Sequence, residues 1–230
     1  MEVQVGDRVK KGQVLLTDKK NPGINYTSPA SGEVVEINRG AKRAFLSLVV
    51  KVDGAESIDF SAHEAETIPM LAREVVEAKL IDSGEWTALR TRPFSKVPAK
   101  GSTSHSIFVT ATDSRPHAPD PNVVIDAEKE AFSAGVAAMS RLTDGSVFVC
   151  MNAMGAFESS IPTVKVERFE GKHPAGLAGT HIHYLDPVSA NKTVWQVNYQ
   201  DVIAIGHLFL SGQIYTPRVV SLACLLYTSP

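Results

Sequence analysis

Cysteine is nearly missing from these 230 residues: Cys150 and Cys224 are the only two. That is too few for a disulfide framework and points to a reducing compartment. An excess of either charge is also missing. The 23 Lys and Arg against 25 Asp and Glu leave a net charge of −2, and the basic residues are scattered. The chain therefore carries no electrostatic footprint for a nucleic-acid backbone, and neither DNA nor RNA is an expected partner. Long apolar runs are lacking too, since "VIAIGHLFL" is about half of the ~20 residues that span a bilayer. No internal repeat or low-complexity tract breaks the pattern. What remains is a globular composition, 43% hydrophobic, with apolar mass for one or two packed domains.

The texture changes along the chain. Residues 1–56 hold short β-like runs, "VQVG", "QVLLTD", "GEVVEIN" and "FLSLVVKV", punctuated by Gly6, Gly12, Pro22-Gly23, Pro29, Gly32 and Gly40. That spacing predicts a small closed or sandwiched β unit. Residues 57–100 read as a connector. Its helix is expected over residues 63–83, with Met70, Leu71, Val75, Ala78 and Leu80 near helical spacing and Gly84 as the stop. Residues 101–223 read as an α/β domain. Strand-like "SIFVTATD", helical "DAEKEAFSAGVAAMSRLTDG" and strand-like "SVFVCM" form a βαβ pattern, which predicts a parallel sheet with a helical crossover. "TVKVERF" adds a strand, and "NYQDVIAIGHLFLSG" predicts a helix with Val202, Ile205, Leu208 and Phe209 on one side. "IYTPRVVSLA" is expected to be the final strand.

Three stretches invite chemistry. In "GKHPAGLAGTHIHYLDPV", His181 and His183 lie two apart, with His173 upstream and Asp186 behind. On a strand the pair would share a face and chelate a metal. On a helix two residues stand ~200° apart and cannot. Pro174 early, the small residues Ala175, Gly176, Ala178 and Gly179, and Asp186-Pro187 at the end favour the helix, so no metal is expected and the histidines should bond to neighbouring backbone.

The second stretch, "VGDRVKKGQVLLTDKK...SPASGEVVEI", resembles the lipoyl and biotinyl carrier fold, where a lysine at a hairpin tip bears the prosthetic group. Lys19 and Lys20 are the candidates, but the short spacing from Gly6-Asp7 and the rigid Asn21-Pro22-Gly23 turn favour a carrier-like fold without the group. The third stretch is "DSGEWTALRTRPFSKVP". Trp86, Leu89 and Phe94 interleave with Arg90, Arg92 and Lys96, a mixture that stacks on a planar headgroup while cations bond its oxygens. A quinone fits that description; so does a packing loop with snorkelling arginines.

Taken together, "VGDRVKKGQVL", "TDKKNPG", "INRGAKR", "LIDSGEWTALRTRPFSKVP", "HPAGLAGTHIH" and "NYQDVIAIGHLFL" resemble the NqrA family of the Na⁺-translocating NADH:quinone reductases, from about Met1 to Ala223. The resemblance implies a peripheral subunit on the cytoplasmic face of the bacterial inner membrane, without a transmembrane segment of its own. Its complex has six subunits, passes electrons from NADH through flavins and iron–sulfur centres to ubiquinone, and pumps sodium outward. The flavins, iron–sulfur centres and NADH site are implied on partner subunits, with no redox cofactor and no acid–base catalytic residue on this chain. Docking on the membrane-embedded B component, complex assembly and ubiquinone binding are the implied roles. The quinone-linked stretch of the family falls on Leu89, Arg90, Arg92, Phe94, Ser95 and Lys96, beside Trp86. The resemblance also implies more chain on both sides of this stretch. "CLLYTSP", residues 224–230, which follows the strand pattern of "RVVSLA", is expected from its own residues to be a non-native tail.

A wider resemblance joins the α/β part to the flavin-binding subunit of respiratory complex I and to the C component of Rnf-type electron-transport complexes. Those proteins have a Gly-rich loop where this chain has Trp86, Leu89, Arg90 and Arg92. Close approach of backbone N–H groups to a phosphate needs residues without side chains, so flavin phosphate binding is expected to be lost on a retained scaffold. A protein like that Rnf component, or a structural subunit that never touches quinone, is the alternative.

Overall fold

The computed structural model describes residues 1–222. The N-terminal β unit has two small antiparallel sheets. β1 (Arg8–Val9), β4 (Ser31–Arg39) and β5 (Phe45–Gly54) form one, and β2 (Val14–Thr17) pairs with β3 (Asn25–Thr27) in the other. Val3, Val9, Leu15 and Val34 close a compact core between them, with Ile37, Leu48 and Val50 against it. The "VQVG" run is not a strand. It is tied by single bonds instead, Glu2 N–H to Leu15 O at 2.9 Å and Gly6 N–H to Val34 O at 2.8 Å. Lys19 and Lys20 are exposed in the connection between β2 and β3.

The connector is built into the second unit. The expected helix over residues 63–83 is shorter: a 3₁₀ turn at Ile68–Met70 precedes α1 (Arg73–Ser83). Pro69 lacks the N–H that a continuous helix would need there. The buried face of α1 is also rotated from expectation. Val76, Leu80 and Ile81 enter the core, whereas Met70 and Val75 are exposed and so is Ala78. α1 ends at Gly84 in the left-handed conformation, φ 85°, as the stop signal predicts. β6 (Arg90–Arg92) follows, inside a stretch that reads as loop from sequence.

The second unit holds β7 (Ile107–Ala111), α2 (Pro121–Ala127), α3 (Lys129–Ser140), β8 (Val147–Met151), β9 (Val164–Arg168), α4 (Ala178–Leu185), β10 (Val194–Asn198) and α5 (Tyr199–Ser211). The helix expected from Asp126 is two helices. Asp120 caps α2 by accepting from Asn122 N–H, and the chain breaks at Glu128, where the carboxylate binds His207 Nε2 at 2.9 Å and Tyr215 Oη at 3.3 Å. The predicted βαβ unit is present, with β7 and β8 parallel. The expected final strand is not: residues 214–222 form no strand, Ala223 and the 224–230 tail lie outside the described residues, and the missing strand is β10, before α5.

The sheet order is β6-β10-β7-β8-β9, with β6 antiparallel and the other four parallel. Each face is covered differently. Ile107, Val109, Val147, Val149, Trp195 and Val197 share one core with Phe132, Val136 and Met139 of α3 and Val202, Ile205 and Phe209 of α5. On the other face Phe108, Phe148, Cys150 and Val194 meet Ile182 of α4. Chain order runs outward from β7 to β8 and β9, then returns through α4 to place β10 on the opposite side of β7. The direction of winding therefore reverses between β7 and β10.

Candidate functional site

That reversal leaves a crevice outside the carboxyl ends of β7 and β10, where open α/β sheets receive ligands. The α4 side of the sheet explains its shape. Along β7 and β10 alternate residues share this face: Phe108, Thr110 and Thr112 on one line, Val194, Gln196 and Asn198 on the other. The apolar first members lie under α4. Eight helical residues reach only ~12 Å, so the polar members stay uncovered. The result is a cavity of about 1030 Å³. Its floor is Thr110, Thr112, Gln196 and Asn198, its roof the Pro174–Leu177 turn and the start of α4 to Thr180, and its side wall Glu85, Thr87, Ala88, Arg90 and Arg92. Gly176 permits the roof to approach so closely, since a Cβ there would stand 2.4 Å from Ser114 N; its own N–H donates to Ser114 Oγ at 2.9 Å.

Four arginines face this cavity, and they are held differently. Arg115 grips Asp113 through paired bonds, and Arg218 Nη2 donates to Asp201 Oδ1 at 3.1 Å. Arg90 donates to the carbonyls of Thr87 and Leu89, and Arg92 Nε to Gln196 Oε1 at 3.2 Å. Among the described residues, Arg90 and Arg92 have no carboxylate partner. Burial pushes Asp201 up despite Arg218 and, more weakly, Arg90. Burial likewise pushes Glu85 up to about 7, opposed by Arg218 and reinforced by Asp201. The site is a mixed polar and apolar pocket with two arginines that form no ion pair among the described residues, Arg90 lying close enough to Asp201 to lower its carboxyl, and with one carboxyl that burial pushes up to about 7.

The residues singled out from sequence divide sharply. Arg90 and Arg92 project from β6 into the cavity. Trp86 and Leu89 do not: both are fully buried, Trp86 edge-on to Trp195 at 5.4 Å with Nε1 donating to Pro98 O at 2.9 Å. Neither offers a face to a ligand, so the stacking expected of them is corrected to packing. Phe94, Ser95 and Lys96 form the exposed turn after β6. Phe94 is 83% exposed at φ 78°, held outward at the edge strand. Sequence reading missed Thr110, Thr112, Gln196, Asn198, Glu85, Asp201 and Arg218. The alternation in "TVWQVN" was an available signal for β10 and hence for the floor.

The histidine stretch is a helix, α4, as predicted. His181 is fully buried, with Nε2 bonded to Ala175 O at 2.8 Å, the backbone bond expected of it. Burial lowers its pKa, only partly countered by that bond. His183 is exposed beside Tyr184, and His173 Nδ1 meets Ser114 Oγ at 3.1 Å. Asp186 faces away from all three, toward His105 Nδ1 at 2.7 Å, Ser106 Oγ at 2.6 Å and Lys192. Among the described residues no group of three or more His, Cys, Asp or Glu is placed to hold a metal.

Asp186 is a structural node instead. Burial alone would raise its carboxyl, but the bonds from Lys192, Ser106 and His105 outweigh it and hold the value below normal. A folded pKa below the unfolded one stabilises above the unfolded value of about 4 and ceases to do so as pH falls through the folded value. Asp186→Asn is therefore expected to lower stability at pH 7 by about 1–3 kcal/mol. Thermal unfolding of the two proteins should converge progressively as pH falls below about 4 and through the lowered folded value; a constant gap would refute the carboxylate's role.

Comparison with known proteins agrees with this architecture. A family model described as the NqrA second alpha/beta domain matches residues 71–214, and one described as the NqrA N-terminal barrel-sandwich hybrid domain matches residues 1–53. The chain is 54% identical over 230 residues to the A component of the Na(+)-translocating NADH-quinone reductase of Vibrio atlanticus, and equally to that of Vibrio alginolyticus, covering 100% of this chain and 52% of each relative. Against the same component from a Marinomonas species it is 54% identical over 223 residues, 97% of this chain and 50% of the relative. The chain spans about half the length of the curated relatives it matches.

Proposed function

We infer the function from one premise: the chain belongs to the NqrA family, whose members are named as the A component of Na⁺-translocating NADH-quinone reductase. On this reading it supplies the barrel-sandwich and the switch-point α/β domain of that component, and it acts only inside the assembled complex, against the membrane-embedded B component. It sits peripherally, on the cytoplasmic face of the membrane. In support, no helix among the described residues is long and apolar enough to cross a bilayer. NADH, the flavins and the iron–sulfur centres are assigned to the partner subunits.

Within the complex we assign this chain a part in binding ubiquinone. One observation carries the assignment: Arg90 and Arg92, from the family's quinone-linked stretch, reach from β6 into the cavity at the strand ends. Their guanidinium groups form no ion pair among the described residues and are suited to the two carbonyl oxygens of a quinone ring, while Phe94 stands at the exposed turn for its apolar side. A flavin is not assigned to this site. Trp86 and Leu89, bulky where the flavin-binding proteins of the wider resemblance have glycines, fill the core beside it, and the purified protein should show no flavin absorbance.

A photoreactive ubiquinone is expected to label residues 90–96 in the assembled complex, and not Trp86. Arg92→Ala should weaken that labelling about tenfold, the loss of one charge-assisted bond, and Phe94→Ala by less. Labelling confined to other subunits would leave this chain the structural role.

A further inference from the structure

We propose that Glu85 delivers a proton to the reduced quinone held beside Arg90 and Arg92 in the switch-point cavity. The proposal rests on the quinone reading above. Three acids line this cavity, and two are already engaged. Asp113 is paired with Arg115 and Asp201 with Arg218. Glu85, on the 3₁₀ turn that also places Thr87 and Ala88 in the wall, has no side-chain hydrogen bond among the described residues. The residue is half-buried and lines the cavity, and a bound ligand is the partner its carboxyl lacks.

The chemistry requires such a group. Quinone takes two electrons, which originate on NADH in the reaction the family is named for, and two protons. Each carbonyl oxygen ends as a hydroxyl. Adding electrons first makes the oxygens anionic, and Arg90 and Arg92 stabilise that charge. One new O–H bond then forms as the Glu85 O–H bond breaks, leaving a carboxylate. The second proton is taken from water. The Glu85 carboxylate is stabilised by Arg218 and regains its proton from solvent, since Glu85 lies on a cavity open to it. An acid beside Arg218 would ordinarily be ionised at neutral pH and unable to donate. Burial outweighs that one cation, with Asp201 acting in the same direction as burial, and holds Glu85 at about 7, near the value at which acid catalysis is most efficient.

The test uses the assembled complex with full-length NqrA. Glu85→Gln keeps size and polarity but has no acidic proton. Photoreactive ubiquinone should still label residues 90–96, with the quinone KM changed less than about twofold. The kcat for ubiquinone should fall roughly 100-fold, while NADH oxidation by ferricyanide, which takes electrons without protons, stays at the wild-type rate. Wild-type kcat should decline as pH rises past about 7, and the variant should lose that limb. Glu85→Asp should restore part of the rate with the limb displaced, and it serves equally where the glutamine variant does not assemble. A wild-type kcat and pH profile in both variants, with labelling intact, overturns the proposal and leaves the quinone reading standing. Wild-type complex that is unlabelled at the cavity overturns both.

Discussion

Replacing Gly206 with alanine is expected to destabilise the α/β domain by about 3 kcal/mol. α3 and α5 cross so closely that a Cβ at Gly206 would lie 1.7 Å from Ala131 O, and one at Gly135 would lie 2.0 Å from Val202 O. Both obstacles are backbone, so no rotamer change relieves them. The helices must separate, and the core that α5 shares with the sheet opens with them. Alanine's better helix propensity returns only about 1 kcal/mol. At roughly 2–4 °C per kcal/mol for a chain of this size, the melting temperature should drop by about 6–12 °C. Gly179→Ala is the control. It is also helical, but a Cβ there meets nothing within 4 Å, so that variant should be neutral or slightly more stable. Equal effects from the two substitutions would show that propensity, and not close helix packing, decides the outcome.

The contrast between these glycines marks what a sequence can disclose. Local signals were legible: Gly84 ending α1, the β-like runs of β4 and β5, the apolar stripe of α5, and Asp186-Pro187 ending a helix that excludes a chelating strand, although α4 begins at Ala178 and not near Pro174. Each depends on residues a few positions apart. The cavity depends on residues from about 85 to 218, brought together by strand order, and no short window contains that. Missing β10 and expecting a strand at residues 214–223 displaced the last parallel strand past α5. That removed the reversal between β7 and β10, and with it the reason for Thr110, Gln196 and Asn198 to share a floor. The rotation of α1 has a similar cause. Met70 and Val75 are apolar but exposed, while Glu77 and Lys79 are buried because partners far along the chain satisfy them. Glu77 accepts from Gly101 N–H and Lys79 donates to Ser61 O while lying over Phe209.

The same limit governs Trp86, whose composition and neighbours suited a ligand platform. Trp86→Ala is expected to cost about 3–5 kcal/mol, the range for truncating a large buried aromatic. Two losses combine. The indole leaves a void against Trp195, and the buried Pro98 carbonyl loses one of its two donors, the indole Nε1 at 2.9 Å, keeping Asn21 Nδ2 at 3.1 Å. Trp86→Phe separates them, since it keeps most of the apolar contact and forfeits the hydrogen bond, at about 1–2 kcal/mol. A ligand platform behaves in the opposite way. Phe94, 83% exposed, should be replaceable by alanine with stability unchanged to within about 0.5 kcal/mol, and Arg92, anchored to one side-chain amide, at little more. Chemical denaturation of the three variants, read beside quinone labelling, distinguishes the roles. Trp86→Ala should lose stability and labelling together, with labelling recovered under conditions that restore folding. Arg92→Ala should lose labelling with the fold intact. A Trp86→Ala protein of native stability that no longer binds quinone would return the indole to the site, and would require the 3₁₀ turn at Glu85–Ala88 to open when ligand enters.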